Sequence, residues 1–190
     1  MFSPYKILSA LAAASLLSLA ACSNDSKTAS QASPSSESSG QTLAQAIGST
    51  ADLSTVAAAL RTSGLVQVFD GGGSYTILAP DNDAFAKLGD AGKPLTQPEN
   101  SAEIAAVLRD HIVPGYLTPD DIKAAIDAQH GAAKVQTMGS HKLTFTRDGD
   151  DLKVTGEDGS QALVAGDAIK AGNGVAIPID SVLKKLAPTA

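Results

Sequence analysis

The chemistry open to this 190-residue chain begins with one cysteine, Cys22, and three histidines, His111, His130 and His141. A lone thiol cannot close an internal disulfide, but its thiolate is a strong nucleophile. The histidines could ligate a metal or move protons. No two of them stand at the i, i+4 spacing that puts a ligand pair on one helix face, and two lie in polar loop contexts. Asp81-Asn82-Asp83 and Asp148-Gly149-Asp150-Asp151 are dense in carboxylates. Neither has the alternating run and distant glutamate of a calcium loop, so they read as a helix cap and a hairpin turn. Gly89-Asp90-Ala91-Gly92-Lys93-Pro94 lacks both the spacing and the hydroxyl after lysine that a phosphate loop needs. No serine sits in a nucleophile-elbow pattern. These residues predict no enzyme, no metal and no cofactor, and His111 is expected to make a core hydrogen bond rather than to act as a base.

Position explains Cys22. Lys6 gives a positive start, residues 7–19 are almost wholly Ile, Leu, Ala and Ser, and Ala20-Ala21 precede the cysteine. That is the layout of a secretory signal. Its apolar run is shorter than the ~18 residues of a membrane span. Leu19-Ala20-Ala21-Cys22 resembles a bacterial lipobox. The resemblance implies a lipoprotein signal peptide over 1–21, cleavage before Cys22, and acylation of its thiol and new amino terminus. One acyl chain anchors weakly, so several chains on Cys22 would make the hold firm. Residues 23–40, SNDSKTASQASPSSESSG, carry no large apolar side chain and cannot repay their ordering entropy. Residues 22–41 are therefore expected to be the lipidated cysteine and a flexible Ser-rich tether, with one folded domain over 42–190.

A composition of 43% apolar and 18% charged residues belongs to a globular chain. The net charge of −6, without a Lys/Arg cluster, excludes nucleic acid as a partner. It also speaks against direct attraction to anionic lipid, leaving acylated Cys22 as the membrane link. The expected product is a monomer anchored in the bacterial cell envelope, at the outer membrane or a periplasm-facing membrane.

Helices come first along the domain. Leu53, Val56, Ala57 and Leu60 have helical spacing over 51–64, and Gly64 ends it. Residues 65–69 are apolar but ambiguous. Residues 75–79 read as a buried strand that Pro80 stops, and Asp81 or Asn82 caps a short helix after it. Ile104, Val107 and Leu108 make 101–110 helical, and 111–115 should end that helix and turn. Thr118-Pro119-Asp120-Asp121 starts another helix, with Thr as N-cap and Pro at the first position. Past Gln129 the period shortens to two, through Leu143, Phe145, Leu152 and Val154. Short strands follow at 163–164, 168–169 and 175–177, and 181–186 is expected to close as a helix. The class is α+β with an antiparallel sheet.

Residues 76–85, Thr-Ile-Leu-Ala-Pro-Asp-Asn-Asp-Ala-Phe, resemble the first signature of fasciclin-type (FAS1) domains. Residues 108–116 resemble their central His motif, and 173–183 their closing signature. Gly166-Asp167-Ala168-Ile169 is similar to a further family strand. The residues that carry the likeness are Thr76, Ala79, Pro80, Asn82, Phe85, His111, Gly115, Tyr116, Asn173, Gly174 and Asp180. The resemblance implies a wedge of about seven antiparallel-type strands in two sheets, flanked by helices. It implies an adhesion or interaction module for a protein, a glycan or matrix material. The alternative is a periplasmic small-ligand-binding lipoprotein, which an apolar cavity would favour.

Two positions depart from the family. Asp110 stands where a Tyr usually precedes the His, and Ile177-Pro178 where a second His is common. The integrin binding attached to the Tyr-His region of animal members is therefore not carried over. Physically, the motif residues read as structural. Pro80 ends a strand, Asp81 and Asn82 offer oxygens to a helix start, Phe85 fills the core, and Gly115 and Gly174 supply positive φ. His111 should be buried and bonded to a backbone carbonyl or to the 81–83 turn, with His130 and His141 exposed.

Overall fold

The structure is a computed structural model that describes residues 40–185. The signal at 1–21, Cys22, nearly all of the tether and residues 186–190 lie outside the described residues.

Helices α1 (Leu43–Ser49), α2 (Ser54–Thr62) and the single turn α3 (Val66–Phe69) come first, with a 3-10 turn at Ala51–Leu53 between α1 and α2. Thr42 caps α1 reciprocally with Gln45, so the domain's first helix has its own start signal. The ambiguous 65–69 stretch is thus helical. Leu65 and Phe69 turn inward there, and Gly64, at φ 71°, makes the bend into it.

One four-stranded sheet takes β1 (Tyr75–Pro80), β2 (Ile112–Pro114), β7 (Ile169–Ala171) and β8 (Gly174–Ile179), in the order β2-β1-β8-β7. The other is a plain antiparallel meander of β3 (Ala132–Gln136), β4 (Lys142–Asp148), β5 (Asp151–Gly156) and β6 (Gln161–Leu163). Between the first strands run α4 (Asn82–Lys87), 3-10 turns at Gly89–Thr96 and Pro98–Asn100, and α5 (Ser101–Asp110); α6 (Pro119–Ala128) precedes the meander.

The α+β class and the two sheets agree with the sequence reading, while the strand count is eight and the central β1–β8 pair is parallel. The reason lies in burial. Ile77, Ala79 and Ala176 face the helical layer of α1, α2, α3 and α5, whereas Leu78, Val175, Ile177 and Ile179 face the second sheet and α6. Strands covered on both faces read as unbroken apolar runs, the habit of parallel pairs. Ile177, where relatives of the motif carry histidine, is fully buried in that second core.

Two expectations give way. Residues 111–115 do more than turn: Ile112–Pro114 pair antiparallel with β1, Ile77 opposite Ile112. Edge pairing is open to Pro114, because an edge residue needs no outward N–H. Residues 181–185 form no helix. The Leu183 N–H goes to the His111 ring at 2.9 Å, and the Lys185 N–H to Asp158 at 2.7 Å. A helix over 181–186 would need the Lys185 N–H for the Ser181 carbonyl, and Asp158 takes that donor instead.

Candidate interaction surface

The three signatures converge on the β1–β8 pair and its flanks, and most of their polar atoms are spent holding elements together. Thr76, almost fully buried, donates its hydroxyl to the Gly115 carbonyl at 2.8 Å and accepts the Leu117 N–H at 2.8 Å. It thereby fixes the turn after β2, where Gly115 sits at φ 108° as expected. Asp81 caps α4, accepting the Ala84 N–H at 2.6 Å. Asn82 serves a different helix from the one expected. Its side-chain oxygen accepts the Thr55 N–H at 3.0 Å and the Thr55 hydroxyl at 2.8 Å, and its amide donates to the Ala51 carbonyl at 3.0 Å. It therefore caps α2 from across the fold. Ala79 and Pro80 are buried, and Phe85 is half-buried between two clusters rather than sealed in one.

Asn173 joins three segments. Its oxygen accepts the Leu43 N–H at 2.7 Å, its amide donates to the Phe69 carbonyl, and its backbone carbonyl accepts from Tyr75 at 3.2 Å. Gly174 corrects its expected reason. It lies outside the positive-φ glycines, and a Cβ there would collide with the Tyr75 carbonyl and Leu43. Close approach of two backbones, not φ, demands glycine. Asp180 accepts the Leu163 N–H at 2.8 Å and so ties the two sheets, while its carbonyl takes the Lys87 ammonium at 2.8 Å.

His111 is wholly buried at the end of α5. Its Nε2 faces the Leu183 N–H, so that nitrogen must accept, and Nδ1 therefore carries the proton and donates to the Val107 carbonyl at 2.8 Å. Burial lowers its pKa, although the Val107 carbonyl and nearby Asp110 and Asp158 pull the other way. The expected carbonyl partner is found, and the 81–83 turn is not among its partners. An imidazole engaged at both nitrogens has no lone pair left for a metal or a substrate proton.

The neighbouring residue points outward. Asp110 accepts at 2.8 Å from the ring of His141, which is half exposed, while its own side chain is 14% exposed. His130 is exposed and sits at φ 60° beyond α6. Among the described residues no group of three or more His, Cys, Asp or Glu is placed to hold a metal.

Several of these contacts were missed in the sequence. Asp158 accepts from Ser160 at N and Oγ and from Lys185 N. Burial alone would raise its carboxyl, but the Lys185 and Ser160 bonds win and hold it down to about 2. An Asp-Gly-Ser turn could have signalled the local bonds; nothing in the sequence signals Lys185.

An open cleft of about 490 Å³ lies between the α2 start, the α4 start and the β6–β7 loop. Asp52, Asp81, Asp83 and Asp167 give it an acidic rim, beside apolar Leu53, Ile169 and Pro178. The apolar hollow beside His111, Phe85 and Val182 holds only about 10 Å³. That core is filled. Among the described residues Tyr116 is the exposed large aromatic, 38% accessible next to the Gly115 turn. No helix among the described residues is long and apolar enough to cross a membrane.

Comparison with known proteins fits this geometry. The Fasciclin domain family profile matches residues 51–185. Protein sll1483 of Synechocystis is 32% identical over 76% of this chain and 74% of its own length. Immunogenic protein MPB70 of Mycobacterium bovis is 30% identical over 74% of this chain and 67% of its own. Transforming growth factor-beta-induced protein ig-h3 of the pig is 29% identical over 68% of this chain, which spans only 17% of that protein. Among solved structures, a FAS1 domain pair from the insect cell adhesion molecule Fasciclin I superposes with a TM-score of 0.67 at 16% identity. It covers 76% of this chain and 51% of that one, and shows the fold.

Proposed function

Because the chain belongs to the fasciclin domain family, we propose that it is a lipid-anchored, non-catalytic interaction module of the bacterial cell envelope, presenting its domain to a protein, glycan or matrix partner. The observation that carries this reading is the commitment of the motif side chains. Thr76, Asn82, His111, Asn173 and Asp180 all bond across elements, so the signatures build a scaffold and leave recognition to the surface. The cell-adhesion role named for the insect structure supports the class of function.

The anchor rests on the sequence. Cys22 closes a lipobox-like run and the tether after it would hold the domain clear of the membrane. The filled core favours this over small-ligand binding, since the hollow near His111 is far below the ~300 Å³ of a ligand pocket and the larger cleft is open and ringed by four aspartates.

The test is display of the full chain on bacterial cells. Attachment to protein-coated and glycan-coated surfaces should rise over that of cells carrying Cys22→Ala, and an acyl probe should label the parent chain only. Equal labelling of both chains would end the anchor reading. Labelling without gain on any coating, together with a small molecule co-purifying and raising Tm, would favour the alternative binder.

A further inference from the structure

Asp110 occupies the place where the family motif has an aromatic residue, and its neighbours show what it does instead. We infer that Asp110 and His141 form a proton-sensitive clasp that holds the β3–β4 turn of one sheet against the end of α5 and the edge of the other.

The geometry is closed around the carboxylate. Gly139 packs so tightly on it that a Cβ at that position would overlap Asp110 Oδ1. The turn is threaded onto the other layer by two backbone bonds, Met138 N–H to the Ile112 carbonyl at 2.7 Å and Gly139 N–H to the Arg109 carbonyl at 3.0 Å. His141 closes it with Nδ1 at 2.8 Å from Asp110 Oδ1. The His141 carbonyl in turn accepts from Thr137 N, Thr137 Oγ1 and Gln136 Nε2, so the ring sits on a braced turn. A tyrosine at 110 would be neutral near pH 7 and could share a hydrogen bond with His141 but no charge, so the ionic part of the pairing needs the aspartate.

The other charges facing His141 line a depression of about 30 Å³: Glu157 and Asp158 from the β5–β6 turn and Lys184 from the closing segment. Asp158 is taken up by Lys185 and Ser160, leaving Glu157 to assist the proton on His141 and Lys184 to oppose it. The hydrogen bond to Asp110, then its charge, raises the His141 pKa above 6.5. A raised histidine stabilises fully below its unfolded value and loses that contribution as pH rises through the folded one. The clasp is therefore tighter below pH 6.5 and slackens as pH rises above it, through the raised folded pKa. The ring is half exposed, so the change should be roughly two- to fivefold in the opening equilibrium, as for exposed ion pairs.

The experiment is NMR on the full chain. His141 should titrate above 6.5 in the parent and return to about 6.5 in Asp110→Asn. Hydrogen-exchange protection of the Met138 and Gly139 amides, corrected for intrinsic rates, should fall roughly two- to fivefold above the His141 midpoint in the parent. It should stay level with pH in Asp110→Asn and in His141→Gln, whose exposed site leaves the fold intact. The same His141 midpoint in parent and Asp110→Asn, or protection in the parent that ignores pH, overturns the clasp.

Discussion

Asp110 and His111 are adjacent in sequence and serve opposite sides of the same helix end. His111 turns into the core, where no water reaches it, and fastens the closing segment through the Leu183 N–H. Asp110 turns outward and fastens the β3–β4 turn through His141. Both contacts join a histidine to a single hydrogen-bonding partner across the fold, yet burial gives them opposite pH behaviour. The buried ring has its pKa pushed down and resists charging; the exposed ring has its pKa raised by a carboxylate and keeps its charge longer. The same residue type is an anchor inside and a clasp outside.

The largest effect should come from the anchor. His111→Ala removes a fully buried ring and leaves the Val107 carbonyl and the Leu183 N–H without partners, at a cost of about 2–4 kcal/mol in urea melts. A variant as stable as the parent would erase the contrast. Asn173→Ala, which strips the bonds to Leu43 and Phe69, should cost about 1–3 kcal/mol by the same measurement.

Acid should sharpen the contrast. As pH falls below 6.5 an unfolded His111 gains a proton that the folded ring refuses, so stability drops until the folded pKa is reached. His141 acts in the opposite direction over the window above 6.5. His141→Gln should therefore keep the acid loss and abolish the loss in the window above 6.5 in pH-resolved melts. Below about 4, Asp158 adds a further loss as pH falls from its unfolded value toward about 2. Near neutral pH, Asp110→Asn and His141→Gln should each change stability by less than about 1 kcal/mol. His130→Ala should change it least, because the ring is exposed.

Much of this was legible from residues alone. Thr118-Pro119-Asp120-Asp121 announced α6, and the capping box is there with Thr118 and Asp121 bonded both ways. The alternation of Leu143 with Phe145 and of Leu152 with Val154 announced the meander's inner face. What escaped was settled at a distance. The 181–185 segment has helical spacing, but His111 and Asp158, far off in sequence, take its N–H groups. The strand at Ile112–Pro114 was hidden because its pairing is decided by β1, not by its own short run. Asn82 looked like a cap for its own helix because its partners on α2 lie 27 residues and more away. The His141–Asp110 contact was likewise unreadable, since it needs the turn at 137–141 folded back over α5.

The account stands on His111 being a scaffold residue, and the state of its ring tests that most directly. Nitrogen-15 NMR of the imidazole, followed downward from about pH 8, should show the Nδ1-protonated neutral tautomer persisting below 6.5, with no midpoint near 6.5. A ring that titrates near 6.5, or that carries its proton on Nε2, would contradict the buried anchor and return His111 to the candidates for direct function.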